Sequence, residues 1–182
     1  MQFTKWHGLG NDFVLLDGFT EEVVMTSSLA RQLCDRKRGI GADGVAIILP
    51  PENSHYDLEM RIYNANGTIA EMCGNVTRCV AAYATQQQPD KKHWRILTAA
   101  GVMQADVIDH TPQESEVTVI MSVPKLRRGD IGITADKEQP AQNIQINLDG
   151  KALTFTGVSM GNPHVVTSVS YTHLRAHETP EH

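Results

Sequence analysis

The stretch Tyr56-Asp57-Leu58-Glu59-Met60-Arg61-Ile62-Tyr63-Asn64, followed after a polar link by Cys73-Gly74-Asn75-Val76-Thr77-Arg78-Cys79-Val80-Ala81-Ala82-Tyr83, carries the reading of the fold. In its first part Tyr56, Leu58, Met60 and Ile62 alternate with Asp57, Glu59, Arg61 and Tyr63. That is the period-2 pattern of a strand with one wet face, and it delivers Asn64 at its end. In its second part Val76, Cys79, Val80 and Tyr83 fall at i, i+3, i+4 and i+7. A helix therefore starts just after Cys73 and turns an apolar stripe to the core. The run Gln86-Gln87-Gln88-Pro89-Asp90-Lys91-Lys92 ends it as a surface loop.

Outward from this stretch the alternation returns at Val117, Val119, Met121 and Val123, and at Ile144, Ile146 and Leu148, where Asp149-Gly150 turns the chain into Leu153 and Phe155. Ser27 or Ser28 is placed to cap a helix through about Lys37 that buries Leu29, Ala30, Leu33 and Cys34, with Arg36, Lys37 and Arg38 at its negative end. Many strands, two separated helices and no regular βαβ alternation predict an α+β fold, mainly antiparallel. A change of domain is expected near Glu116, giving a first domain 1–116, a partial second domain 117–169 and a tail 170–182. In the tail apolar periodicity stops and three of the eight histidines gather. It reads as a translated adapter, a frame change or a divergent end rather than fold. His173 and His177 are spaced like metal ligands but lack a cysteine pair or carboxylate in register.

The 182 residues are 41% hydrophobic, enough for a packed core, and the formal charge of -5 is spread without a basic stripe. Nucleic acid is thus an unsuited partner, and a small molecule fits better. No apolar run approaches the roughly 18 residues of a membrane span, and Met1 leads directly into polar Gln2 and Thr4. The expectation is a soluble, unexported, cytoplasmic protein. Three cysteines, an odd number without a secretion signal, argue against a disulfide framework.

Gly39-Ile40-Gly41-Ala42-Asp43-Gly44 matches G-x-G-x-x-G, yet an Arg-rich helical segment precedes it and the strand-like Val45-Ala46-Ile47-Ile48-Leu49 follows. That order offers no helix N-terminus to a pyrophosphate, so the segment is expected to be a structural turn. Chemistry concentrates instead at Cys73. Free N–H groups and the positive end of a helix dipole favour an anion there. The same amides, those of Gly74 and Asn75, suit a substrate carboxylate. On position alone Cys73 has two readings, a working thiol or one more small buried residue, since free cysteine is among the most buried types. Cys79 lies about 240° further round the helix, on the core stripe, and is expected to pack, as is Cys34.

With these segments in view, the sequence resembles the diaminopimelate epimerases. The likeness begins at Phe3-Thr4-Lys5-Trp6-His7-Gly8-Leu9-Gly10-Asn11-Asp12-Phe13, continues through Gly39 to Gly44, and peaks from Asn64 to Cys79. It returns at Met160-Gly161-Asn162-Pro163-His164, so it covers residues 1 to about 167. The resemblance implies inversion of LL-diaminopimelate to the meso form in lysine and peptidoglycan precursor synthesis, without pyridoxal phosphate or metal. It implies two similar α+β domains, each a curved sheet around a central helix. By that likeness Cys73 is a catalytic thiol and His164 assists the catalytic pair. Asn11, Gly44, Asn64, Gly74, Asn75 and Asn162 fall at substrate-binding positions.

Physical chemistry suits the arrangement. An amino-acid α-proton is very weakly acidic, so its removal needs an oriented base and donors for the charge growing on the carboxylate. Inversion also needs an acid on the opposite face. The resemblance places that second cysteine, with a Glu-Arg pair, in a segment this sequence does not contain, so the chain as given is expected not to epimerise. Val76 replaces a usual glycine and Asn66 a usual aspartate. A φ > 0 requirement at Val76 would cost on the order of 1–3 kcal/mol, a helical position little. Two other readings stay open: a related isomerase of proline racemase or phenazine-biosynthesis type, against which Glu71-Met72-Cys73-Gly74-Asn75 argues, and a non-catalytic binding module. Apolar surface left by a missing half would favour a homodimer. A cysteine hydrolase lacks its histidine pattern.

Overall fold

A computed structural model describes residues 1–121, 123–148 and 150–168. The tail 170–182, with His173 and His177, lies outside the described residues. The chain forms two compact units, Met1–Met121 and Ser122–His182.

The first unit holds strands β1 (Thr4–Gly8), β2 (Asn11–Asp17), β3 (Gly44–Leu49), β4 (Leu58–Asn64), β5 (Ile69–Ala70), β6 (His93–Thr98), β7 (Gly101–His110) and β8 (Ser115–Ile120), with helices α1 (Ser27–Cys34) and α2 (Gly74–Gln87). They make one sheet in the order β1-β2-β3-β4-β6-β7-β8, with β5 on β4. The β2–β3 and β4–β6 pairs are parallel and the others antiparallel. Each parallel pair is joined by a connection that contains a helix, as a parallel crossover requires. Helix α2 touches β1 at one edge of the sheet and β7 and β8 at the other, so the sheet curls around it.

The alternation read in the sequence is the strand β4, with Leu58, Met60 and Ile62 facing α2 in the core beside Val76, Cys79, Val80, Trp94 and Ile96. Strands β2 and β3 are buried on both faces, because α1 and its flanks cover the side opposite α2 with Cys34, Leu33 and Ala42 over Val14, Leu16, Val45 and Ile47. This explains their unbroken apolar runs.

Several boundaries differ from the sequence expectation. Thr26, not Ser27 or Ser28, caps α1, its hydroxyl accepting the Leu29 N–H at 3.1 Å. The helix stops at Cys34, where the Asp35 N–H bonds back to the Arg31 carbonyl at 3.1 Å. Arg36, expected at the helix end, instead pairs with Asp12 and Asp43. The glycine segment is a turn folded against that helix end: a Cβ at Gly39 would lie 1.9 Å from the Gln32 carbonyl oxygen, and Gly41 has φ +77°. Strand β8 ends at Ile120, so Met121 and Val123 lie beyond it, Val123 being exposed. The change expected near Glu116 falls inside β8, which stays zipped to β7. Val76 is helical and wholly buried, so the substitution carries no positive-φ strain.

The second unit contains a short 3-10 turn, Arg128–Ile131, and strands β9 (Ile144–Leu148), β10 (Lys151–Ser159) and β11 (Pro163–Val166), ordered β11-β10-β9 and antiparallel. The hairpin expected here pairs Ile146 with Leu153 and Ile144 with Phe155, with Gly150 at φ +77° in its turn.

Asp57, just ahead of β4, ties that strand to β6 through the Arg95 N–H at 2.7 Å, the Arg95 guanidinium and Lys91 at 2.9 Å. Burial alone would raise this carboxyl, but the hydrogen bonds from Arg95 and Lys91 win and hold it well below the usual carboxylate range. A carboxyl depressed on folding stabilises fully above its unfolded value, about 4, and loses that contribution as pH falls towards the folded value. Asp57→Asn is expected to cost on the order of 1–3 kcal/mol at pH 7. Thermal melts at pH 7 and pH 3 should show the gap between the two proteins narrowing in acid.

Candidate active site

Strand registry gathers the sequence-predicted residues of the first unit. Asn11 opens β2, Gly44 opens β3 and Asn64 closes β4. Since β3 runs parallel to β2 and antiparallel to β4, with Phe13 beside Gly44 and Gly44 beside Asn64, the three positions share one end of the sheet. Gly44 is buried there, where a Cβ would come 2.8 Å from the Tyr63 carbonyl oxygen.

Cys73 is the N-cap of α2, with φ −148° and ψ 117°. Its carbonyl accepts the Thr77 N–H at 3.0 Å and the Thr77 hydroxyl at 2.9 Å, while its side chain does no capping. Met72 and Val76 on either side are buried, which anchors the helix start and leaves Cys73 half-exposed. First-turn N–H groups, here those of Gly74 and Asn75, lack intrahelical acceptors and point at whatever occupies the mouth.

The structure brings Asn11, Cys73 and Asn75 into contact. Asn11 Oδ1 accepts from Asn75 Nδ2 at 3.1 Å and lies 3.8 Å from the Cys73 sulfur. Gly8 allows this approach, since a Cβ on it would sit 3.1 Å from the Asn75 carbonyl oxygen. Asn64 is turned to its own loop, donating to Thr68 Oγ1 at 2.9 Å. In the second unit Asn162 and His164 pair with each other, Oδ1 to Nε2 at 2.9 Å, at the start of β11.

Sequence reasoning missed the charged groups behind the asparagines. Asn11 Nδ2 donates to Asp43 Oδ2 at 2.8 Å, and Arg78 Nη2 donates to Asn75 Oδ1. Arg36 bonds both Asp43 and Asp12 at 2.7 Å, and Lys5 reaches Asp12 at 3.1 Å. Burial raises the Asp12 carboxyl, but Arg36 and Lys5 outweigh it and hold it far below its ordinary range. The position of Arg78 at i+3 from Asn75 on a helix was the available signal. Asp43 carried none, being masked by the misleading glycine motif.

The other thiols are chemically apart. Burial raises the Cys79 thiol to about 12 and also raises that of Cys34, beside the Asp12 and Asp43 charges. Among the described residues no helix is long and apolar enough to cross a membrane.

The fold is that of amino-acid racemases and epimerases. A hydroxyproline epimerase from Agrobacterium vitis, solved with bound trans-4-OH-L-proline, matches at TM-score 0.68 with 16% identity over 92% of this chain and 51% of its own. A probable proline racemase from Agrobacterium radiobacter matches at the same TM-score with 13% identity, over 91% and 51%. Residues 3–126 match the sequence family described as diaminopimelate epimerase, and the chain belongs to that family. Relatives named diaminopimelate epimerase from Teredinibacter turnerae and Carboxydothermus hydrogenoformans are each 42% identical over 93% of the chain. The chain spans 59% and 60% of the length of these two relatives.

Proposed function

We propose that this chain supplies the Cys73 side of a diaminopimelate epimerase site that interconverts LL- and meso-diaminopimelate in the cytoplasm, as a step of lysine biosynthesis, by proton transfer between thiols and without a cofactor. The observation that carries the reading is the placement of a half-exposed thiol at the entrance of α2, beside two side-chain amides. As a thiolate, the Cys73 sulfur takes the proton from Cα, the C–H bond breaks and an S–H bond forms. A second thiol on the opposite face gives its proton to the same carbon, so the configuration inverts and the charge ends on that sulfur.

The N–H groups of Gly74 and Asn75 suit the carboxylate, whose charge grows as the proton leaves. Asn11, Asn64 and Asn162 offer donors and acceptors without a competing charge, Gly44 gives close backbone approach, and His164 assists the thiols. The burial of Cys34 and Cys79 supports Cys73 as the working sulfur. In the folded chain iodoacetamide is expected to label Cys73 on the order of 100-fold faster than either, because a buried thiol reacts only after local opening. Meso-diaminopimelate should slow that labelling in proportion to its occupancy. Equal labelling of all three thiols, or no protection at millimolar ligand, would sink the proposal.

A further inference from the structure

Asp43, Asn11, Asn75 and Arg78 form a line of hydrogen bonds past Cys73 whose two ends are chemically one-way. An ionised carboxylate only accepts and a guanidinium only donates. Asn11 must therefore turn Nδ2 to Asp43 Oδ2, at 2.8 Å, which leaves its Oδ1 for Nδ2 of Asn75, at 3.1 Å. Asn75 must in turn give its Oδ1 to Arg78. Neither amide can flip without setting donor against donor or acceptor against acceptor. Asp43 is itself held by Arg36 at 2.7 Å and by the Asp12 N–H at 3.1 Å. The oxygen whose direction this line fixes is the one 3.8 Å from the Cys73 sulfur.

We propose that Asp43 and Arg78 are positioning residues that fix the direction of the Asn11 and Asn75 amides, so that the Cys73 sulfur faces an acceptor oxygen and not an amide donor. An oxygen in that place accepts from S–H or from a ligand's ammonium, and it repels a sulfur anion. Direction matters in this way only if Cys73 is the working thiol, so the inference rests on the function proposed above.

The test reads iodoacetamide labelling of Cys73 at pH 7 in the folded chain without substrate, with Cys34 and Cys79 in the same molecules as internal controls. Asp43→Asn combined with Arg78→Met removes both one-way ends, leaving a donor as well as acceptors beside Asn11 and no obligatory donor beside Asn75, which frees Asn11 to turn its amide nitrogen to the sulfur. Cys73 labelling is expected to rise roughly tenfold while the two buried thiols stay unlabelled. Adding Asn11→Asp to that variant restores a one-way acceptor beside the sulfur and should return Cys73 to the parental rate or below. If that pair unfolds the chain, Asp43→Asn with Arg78→Gln, whose amide both donates and accepts, releases the two ends and should raise Cys73 labelling in the same selective way. Either end substituted alone leaves the other in control and should keep the parental rate. An unchanged Cys73 rate in a folded chain with both ends substituted, a parallel rise at all three thiols, or failure of the added Asn11→Asp to lower the rate would overturn the inference. Protection by diaminopimelate is a separate readout, so the functional reading and this one can fail independently.

Discussion

Assayed alone, residues 1–182 are expected to leave LL-diaminopimelate unconverted above background. The same chain joined to the part of the Teredinibacter turnerae relative that it does not cover should turn over at least about a thousandfold faster. Inversion needs a proton to leave one face of Cα while another arrives at the opposite face. Among the described residues Cys73 is the one cysteine that is not buried, the others being Cys34 and Cys79. With its thiol raised to about 12 and its side chain in the core, Cys79 neither reaches a ligand nor ionises usefully near neutrality. In the joined protein Cys73→Ala should return the rate to background, since a positioned acid–base group contributes about 10²–10⁴-fold and the proposed scheme makes the two thiols a single unit. Cys79→Ala should change it only a few-fold. Conversion by residues 1–182 alone, abolished by Cys73→Ala, would contradict the two-thiol scheme.

Trp94→Ala is expected to remove about 3–5 kcal/mol from the first unit, enough to consume much of the stability of an ordinary domain. The side chain is 3% exposed and packs in the core between sheet and α2. Its indole N–H donates to Thr85 Oγ1 at 2.8 Å, and the Lys91 ammonium lies 4.4 Å from a ring centroid. Trp94→Phe keeps most of the apolar volume and gives up the indole bond. Its cost should be nearer 1 kcal/mol, because the Thr85 hydroxyl still donates to the Lys91 carbonyl at 3.0 Å. Urea unfolding followed by far-UV circular dichroism separates the two variants. An alanine variant within about 1 kcal/mol of the parent would show that the sheet collapses onto the vacated space.

How much the chain disclosed in advance depended on whether the relevant signal was local. β4 and α2 were legible because burial on one face imprints a period on consecutive residues. The β9–β10 hairpin was legible because a two-residue turn fixes its register. The two-sided burial of β2 and β3 was not, since a continuous apolar run does not say what covers it. The end of α1 was misplaced because Arg36, Lys37 and Arg38 suit a helix terminus on dipole grounds, while a stronger and more distant partner, the Asp12 and Asp43 carboxylates, claims Arg36.

The site divides along the same line. By itself the sequence determined that a cysteine stands at a helix entrance, that the other cysteines sit on core stripes, and that asparagines accompany it, because cap position and helical phase are properties of neighbours along the chain. Only the tertiary structure decided that Asn11 meets Cys73 and Asn75 across 62 and 64 positions of sequence. It alone set Asp43 behind the Asn11 amide and turned Asn64 to its own loop. Side-chain hydrogen bonds between distant strands and helices depend on sheet registry and on which competing partner is nearest, and no periodicity along the chain encodes either.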